Sequence, residues 1–138
     1  MNQKELELYV HIPFCVKKCS YCDFLSAPAT EQTKEAYMAA LFAEIGGRAK
    51  DYKDRIVTSV FIGGGTPSLL SGDSIRQLME HIREGFRLAP DAEITMEVNP
   101  GTVTAEKLTA FYGAGINRLS IGMQSAQEQE LKILGRIH

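Results

Sequence analysis

The sequence lacks the features that would place the chain in a membrane, outside the cell or on nucleic acid. A membrane-spanning helix needs about 20 apolar residues in a row, and the longest apolar stretch, Met38 to Ala43, ends at Glu44. The first residues, Met1 to Glu5, do not form the cationic and then apolar pattern of a secretory signal. A net charge of -2 over 138 residues excludes a uniformly basic nucleic-acid-binding chain. We therefore expect residues 1–138 to form at most one domain, in the cytoplasm, with no membrane span and no nucleic-acid partner.

Cysteine is also scarce, and its placement is informative. The three cysteines, Cys15, Cys19 and Cys22, form a single C-x3-C-x2-C segment. An odd number of cysteines in a chain without an export signal argues against a disulfide framework. Three unrelated packed thiols would rarely fall so close together in a sequence. The spacing therefore favours a metal or a cluster that is bound by all three thiolates.

Zinc and iron–sulfur clusters place different demands on such a segment. Structural zinc takes four protein ligands in a tetrahedron, usually from two separated knuckles, whereas this chain offers one loop of three cysteines. Three thiolates on a [4Fe–4S] cluster leave one iron open, and an open iron can bind a substrate. A structural zinc or iron–sulfur module without further chemistry remains the alternative. Metal and sulfide content would separate the two.

Short apolar segments alternate with helical patterns along the chain, as in a parallel sheet flanked by helices. The predicted strands are Leu6–Ile12, Val57–Ile62, Glu93–Val98 and Arg118–Met123. The predicted helices are Glu31–Ala49, Ser74–Phe86, Ala105–Tyr112 and Gln127–Leu134. Ser71 or Asp73 can cap the second helix and Thr104 the third, and Gly115 is a plausible stop after the third.

Three of these strands alternate between apolar and polar side chains, although a parallel strand covered on both faces is usually a continuous apolar run. The first, third and fourth strands place on their polar or small-residue face Glu7, Tyr9, His11, Glu93, Thr95, Glu97, Asn99, Ser120, Gly122 and Gln124. A polar face costs desolvation free energy unless water or a ligand contacts it. The pattern favours a barrel lumen that holds a polar molecule. A half-exposed antiparallel sheet is the alternative, and the intervening helices argue against it.

The segment from Tyr9 to Cys22, YVHIPFCVKKCSYC, resembles the cluster loop of the radical S-adenosylmethionine (SAM) enzymes. Within them it is similar to the oxygen-independent coproporphyrinogen III oxidases and their heme-chaperone relatives. Four further blocks extend the resemblance over essentially the whole chain: GGGTPS from Gly63, EVNP from Glu97, RLSIGMQS from Arg118 and LGR from Leu134.

The resemblance implies a fold and a set of cofactors. The fold would be α/β, a partial (β/α) radical SAM barrel, of which this chain supplies about four βα units as the N-terminal portion of the core domain. Cys15, Cys19 and Cys22 would hold a [4Fe–4S] cluster whose open iron binds SAM. Electron transfer from the cluster would release a 5′-deoxyadenosyl radical, with an external electron donor such as a flavodoxin.

The resemblance also implies which residues contact SAM. The matching positions are Tyr9, Tyr21, Gly64, Gly65, Thr66, Glu97, Gln124 and Arg136. Glu97, on the polar strand face, can accept hydrogen bonds from ribose hydroxyls, and glycines let backbone groups approach a ligand closely. His11 is not assigned as a ligand, because a lone histidine is more often a hydrogen-bonded structural residue.

One position separates the two related activities. The oxidase pattern carries an additional cysteine two places after the third cluster ligand, where this chain has Phe24. The resemblance therefore favours a heme chaperone that binds SAM and heme, or another porphyrin, and delivers heme to apoproteins such as respiratory enzymes. Radical SAM cleavage is expected in either case. Coproporphyrinogen III oxidase is the alternative, and a metal-binding module without SAM chemistry is the second alternative.

The length of the chain argues that it is not the whole protein. A barrel of this type usually needs about 200 residues or more, and the chain ends within a block that the family continues. We therefore expect a fragment, whose fourth strand is an unpaired edge and whose heme-binding residues lie elsewhere.

Overall fold

The computed structural model describes residues 2–15, 28–122 and 126–134, apart from the side chains of residues 131 and 134. Strands and helices alternate along these ranges. The strands are β1 (Lys4–Ile12), β2 (Arg55–Gly64), β3 (Leu88–Val98) and β4 (Arg118–Ile121). The helices are α1 (Glu31–Ala49), α2 (Gly72–Gly85), α3 (Ala105–Ala114) and α4 (Glu128–Leu134). Short 3-10 turns follow α1, β2 and β3, at Lys50–Tyr52, Pro67–Leu69 and Pro100–Thr102.

The four strands form one sheet in the order β1-β2-β3-β4, and every neighbouring pair is parallel. The predicted α/β class with helices between parallel strands is thus confirmed. Because the strands are parallel and in sequence order, their carboxyl ends all meet at one edge of the sheet, where ligands of α/β proteins bind. We call this edge the carboxyl edge.

One face of the sheet forms the apolar core with the first three helices. From the strands, Val10, Ile12, Val60, Ile62 and Met96 are buried. The helices add their own buried apolar side chains: Met38, Ile45, Ile75, Leu78, Met79, Ile82 and Phe111. The hydrophobic effect acting on this face stabilises the layered arrangement, because each buried side chain removes apolar surface from water.

Local capping explains where the helices begin and end. The Ser71 hydroxyl accepts from the Ser74 N–H at 3.1 Å, so Ser71 rather than Asp73 caps α2. Asp73 instead accepts from the Arg76 guanidinium at 2.6 Å. Thr104 caps α3 as predicted, and Gly115 ends that helix in the left-handed region at φ 109°. Left-handed backbone favours glycine, because a Cβ would be strained there.

The opposite face of the sheet, which we call the inner face, carries the polar side chains that the alternation predicts. Glu7 and Tyr9 are exposed there, and His11 and Glu97 are half-buried. Thr95 departs from the expectation of an accessible polar row, since it is only 1% exposed.

The fourth strand also departs from the predicted pattern. Its apolar side chains, Leu119 and Ile121, are 38% and 59% exposed rather than covered by helices, because β4 is the last strand in the sheet order. Met123, the predicted last residue of the strand, lies outside the described ranges. No helix within those ranges is long and apolar enough to cross a membrane.

Candidate functional site

The carboxyl edge brings together three of the sequence motifs. Cys15 follows β1 and is half-buried, the glycine run lies at and just after the end of β2, and Glu97 is the penultimate residue of β3. Parallel pairing of these three strands places the segments side by side. The predicted sites therefore converge, although they are far apart in sequence.

Glu97 is the acidic group of this edge. The backbone N–H of Gly64 donates to its carboxylate. Burial raises the pKa of the Glu97 carboxyl, and the Gly64 hydrogen bond and the charge of His11 oppose that rise. A Cβ on Gly63 would lie 3.0 Å from Oε1 of Glu97, so the absence of a side chain at Gly63 leaves the carboxylate its space. The result is a half-buried hydrogen-bond acceptor on the inner face.

Gly64 is a glycine for two separate reasons. Its φ of 114° lies in the left-handed region that other residues rarely adopt. A Cβ there would also lie 2.7 Å from the imidazole Nδ1 of His11. The His11 ring therefore packs directly on the Gly64 backbone, and the Tyr37 hydroxyl donates to the His11 carbonyl oxygen. These contacts agree with the expectation that His11 has a structural role.

Gly65 and Thr66 connect the glycine run to the segment that enters the cysteine loop. The Gly65 N–H donates to the Ile12 carbonyl at 2.7 Å, and the Thr66 N–H donates to the Phe14 carbonyl at 2.5 Å. A Cβ on Gly65 would overlap the carbonyl oxygen of Phe14. The third glycine thus allows the close approach of two backbones immediately before Cys15. It fixes the main chain that leads directly into Cys15.

A buried polar network ties the glycine loop to the end of β3. The Asn99 side chain donates from Nδ2 to the hydroxyl of Thr66 at 3.0 Å, and its backbone N–H donates to the Ser68 hydroxyl at 3.2 Å. Ser68 is fully buried and its hydroxyl lies 2.5 Å from that of Thr102. The sequence analysis treated GGGTPS and EVNP as separate blocks. It did not predict that Ser68 and Asn99 connect them by a hydrogen bond. Their position directly after two parallel strands was the available signal.

Aromatic side chains lie next to Glu97 on the inner face. Tyr9 is 60% exposed, and its hydroxyl lies 3.1 Å from Nδ1 of His11. Its ring stacks on Phe61 with centroids 6.1 Å apart. Burial, and then the charge of Glu97, raise the pKa of the Tyr9 phenol, which keeps the hydroxyl protonated and able to donate. Phe61 was missed from sequence, because its strand is not one of the three that alternate, so the pattern gave no signal of the face that Phe61 occupies.

One cavity of the molecule overlaps this group of residues only in part. A cavity of about 400 Å³ runs along β1 beside α1, and its lining includes Leu41, Ile45 and Phe86 together with Tyr9 and His11. Its lining includes neither Glu97 nor the glycine loop. A binding site is better indicated by polar groups that converge and by an acid with a shifted pKa than by the presence of a cavity alone. We therefore place the candidate site at the carboxyl edge, where Glu97 lies.

Several predicted site residues lie outside the described ranges, and their placement stays a prediction: Cys19, Cys22, Tyr21, Gln124 and Arg136. The described residues bring together Cys15, Tyr9, Gly64, Gly65, Thr66 and Glu97. Among these described residues no group of three histidine, cysteine, aspartate or glutamate side chains could hold a metal ion. Cys15 is the one member of the cysteine triad that the described ranges contain.

Comparison with known proteins agrees with the motifs. The family model for the Radical SAM superfamily matches residues 9–138. Heme chaperone HemW of Escherichia coli (strain K12) is 50% identical over 134 residues, which are 96% of this chain and 35% of that protein. The HemW of Haemophilus influenzae is 44% identical over 138 residues, covering 96% of this chain and 36% of that protein. Radical S-adenosyl methionine domain-containing protein 1, mitochondrial, of Bos taurus is 42% identical over 131 residues, covering 95% and 30%.

A solved structure extends the comparison to the fold. The chain superimposes on the radical SAM enzyme coproporphyrinogen III oxidase (HemN) from Escherichia coli with a TM-score of 0.91 and 36% identity. The match covers 99% of this chain and 31% of that one.

The chain therefore belongs to the radical SAM superfamily, and its parallel sheet with helices is a partial barrel of that fold. Within the superfamily its homologues include heme chaperones of the HemW type. The chain spans about a third of the length of the relatives that it matches.

Proposed function

We propose that this chain is the part of a heme chaperone that holds a [4Fe–4S] cluster and SAM. The observation that carries the proposal is the hydrogen-bonded pairing of the glycine loop with the backbone before Cys15. The same glycine loop donates a hydrogen bond to the Glu97 carboxylate, so the loop joins the start of the cysteine segment to the acidic group of the edge. The residues fit the cofactors by their chemistry. Thiolates suit iron–sulfur clusters, and a carboxylate suits the hydroxyls of a ribose.

Cys15, Cys19 and Cys22 would hold the cluster, which, when reduced, supplies the electron for reductive cleavage of SAM. The residues of this chain bind and orient. Glu97 accepts hydrogen bonds and Tyr9 donates one, while the paired backbone around Gly65 fixes the first thiol. Of the undescribed residues, the resemblance adds Tyr21, Gln124 and Arg136 to the same set, as it adds Gly64 and Thr66 from the glycine loop.

The support for a chaperone rather than an oxidase is comparative. The curated relatives with 50% and 44% identity are named heme chaperones, whereas the solved structure named as an oxidase is 36% identical. Phe24 stands where the oxidase pattern has its additional cysteine. In this proposal the whole protein binds heme and delivers it to apoproteins, with an electron donor such as a flavodoxin. Oxidation of coproporphyrinogen III remains the second candidate, because the fold of the oxidase matches at a TM-score of 0.91.

Metal and sulfide analysis tests the cluster. After anaerobic reconstitution we expect about four iron and four sulfide per chain, falling to near zero in Cys15→Ser. His81→Gln, which changes a potential ligand on α2 far along the chain from the cysteine segment, is the matched control and should load fully. One zinc per chain without sulfide would reject the cluster and support a structural metal module.

A hybrid protein tests the choice between chaperone and oxidase. In this hybrid, which we call the HemW hybrid, the chain replaces the matching third of E. coli HemW. We expect it to bind heme, to pass that heme to an apoprotein, and to leave coproporphyrinogen III unchanged in the presence of SAM and a reductant. Conversion of both propionates to vinyl groups at a rate near that of the E. coli oxidase would reject the chaperone.

A further inference from the structure

Lys107, on the first turn of α3, belongs to none of the sequence blocks, yet it contacts the carboxyl edge. Its ammonium donates to the carbonyl oxygen of Ser68 at 2.8 Å and to that of Thr102 at 3.3 Å. Ser68 lies in the turn after β2, and Thr102 lies in the turn after β3. One cation therefore holds the main chains of two loops that leave adjacent parallel strands.

The two carbonyls belong to residues that are already linked. The hydroxyls of Ser68 and Thr102 lie 2.5 Å apart, and the Thr102 hydroxyl also donates to the Asn99 carbonyl at 2.7 Å. Asn99 in turn donates to the Thr66 hydroxyl. A continuous set of hydrogen bonds thus runs from Lys107 to the residue that follows the glycines. We call Ser68, Asn99, Thr102 and Lys107 the loop clamp.

The position of Lys107 has a physical cost that the clamp offsets. Burial, and then the charge of Lys34, lower the pKa of the Lys107 ammonium. A half-buried cation is destabilising unless acceptors replace the water that it loses. The two carbonyl oxygens are those acceptors, and hydrogen bonds from charged groups contribute more than neutral ones. The ammonium and the two loops therefore depend on each other.

We propose that Lys107 is a positioning residue for the cofactor site, because its ammonium fixes the loop that carries Gly64, Gly65 and Thr66 relative to the end of β3 and Glu97. It does not touch a ligand itself. It acts through Ser68 and Thr102. This inference rests on the proposed function only in its reference to SAM, since the mechanical link between the loops is independent of any ligand.

Amide hydrogen exchange on this chain tests the clamp without a ligand. Lys107→Met removes the ammonium and keeps most of the side-chain length, and Lys107→Arg keeps a cation. Lys50→Met is the matched control, because Lys50 is exposed and directly follows α1, next to the opposite edge of the sheet. We expect the amides of Thr66 and Asn99 to exchange about tenfold faster in Lys107→Met, with the arginine variant within about threefold of the native rate.

The outcomes separate positioning from general stability. Faster exchange confined to the two loops, with central β2 amides such as Val60 unchanged, supports the proposal. Unchanged loop amides, or acceleration spread evenly over the sheet, would overturn it. If Lys107→Met does not fold, Lys107→Leu, which also has no donor for the two carbonyls, is judged by the same comparison.

SAM affinity of the cluster-loaded HemW hybrid provides the functional readout. We expect Lys107→Met to weaken SAM binding about tenfold and Lys107→Arg to restore most of it, while Lys50→Met has no effect. Equal affinity for SAM in the methionine variant and the native hybrid would overturn the positioning role. A native hybrid that binds no SAM would reject the proposed function, and the exchange data would still decide whether Lys107 fixes the loop.

Discussion

The two faces of the sheet differ in what they bury. On the helix-covered face, Ile62 and Met96 are fully buried and belong to a continuous apolar cluster. On the inner face, Tyr9 is 60% exposed and Glu97 is half-buried. The Glu97 carboxylate accepts a hydrogen bond from the Gly64 N–H. The difference indicates that the helix-covered face contributes most of the hydrophobic stabilisation. The inner face can therefore hold polar groups whose purpose is binding rather than folding.

Two adjacent residues of β2 should show the largest difference in folding stability between the two faces. Ile62→Ala should destabilise the fold by about 2–5 kcal/mol, because a fully buried side chain leaves a cavity. Phe61→Ala, on the inner face, should cost less than about 2 kcal/mol, since its ring is only half-buried. Urea unfolding of both variants measures the difference. Equal losses would show that the inner face belongs to the core, contrary to this account.

Gly65→Ala should produce the next largest effect, because its Cβ would overlap the Phe14 carbonyl oxygen. Overpacking of this kind typically costs about 1–3 kcal/mol. We also expect poorer cluster loading, since Phe14 immediately precedes Cys15. Urea unfolding and iron content after reconstitution are the measurements. Native stability together with native iron content would refute the close-approach role of this glycine.

Substitution of two glycines of α1 should stabilise the fold, in contrast to the substitutions above. A Cβ on Gly46 or Gly47 would meet nothing within 4 Å, and both residues are exposed inside a helix. Alanine should therefore stabilise the fold by about 0.5–1 kcal/mol at each position, because glycine loses more backbone entropy on folding. Thermal melting should show a higher midpoint for Gly46→Ala and Gly47→Ala. A lower midpoint would indicate that these glycines have a packing role.

The smallest expected effect depends on pH. Burial raises the pKa of Glu97 in the fold, so the native state binds the proton more tightly than the unfolded chain does. Stability from this group is present below the unfolded pKa and is lost as pH rises through the folded pKa. Glu97→Gln, which keeps the acceptor for Gly64, should therefore be slightly more stable than the native chain at pH 7. The difference should vanish near pH 4, as measured by urea unfolding at both values.

Periodicity was sufficient to predict the layered fold. The predicted bounds of α1, Glu31–Ala49, are those of the structure. A Thr30 cap fixes the start of this helix, and Met38, Ile45 and Ala49 are its buried residues. The choice between Ser71 and Asp73 as the cap of α2 required geometry, since both residue types can accept the same bond. The exposure of Leu119 also escaped prediction, because alternation gives the faces of a strand but not what covers them.

The candidate site was predicted less completely than the fold. Alternation predicted that Glu97 lies on the polar face of its strand, where the structure places it. Motif spacing put the glycine run directly after the second predicted strand, and parallel strands end together, so the two meet at one edge. The same spacing could not show that Gly65 serves the backbone before Cys15, since close approach of two main chains leaves no mark in one sequence. Lys107 was not predicted either, because a lysine on an amphipathic helix is normally a solvated residue.

We propose that three cysteines hold a [4Fe–4S] cluster at the carboxyl edge and that its open iron binds SAM. Electron paramagnetic resonance of the reduced HemW hybrid, recorded with and without SAM, tests it most directly. We expect SAM to change the spectrum of the native hybrid, and the Glu97→Ala variant to require more SAM for the same change. A cluster spectrum that is identical with and without SAM would show that the cluster has no open iron that binds SAM.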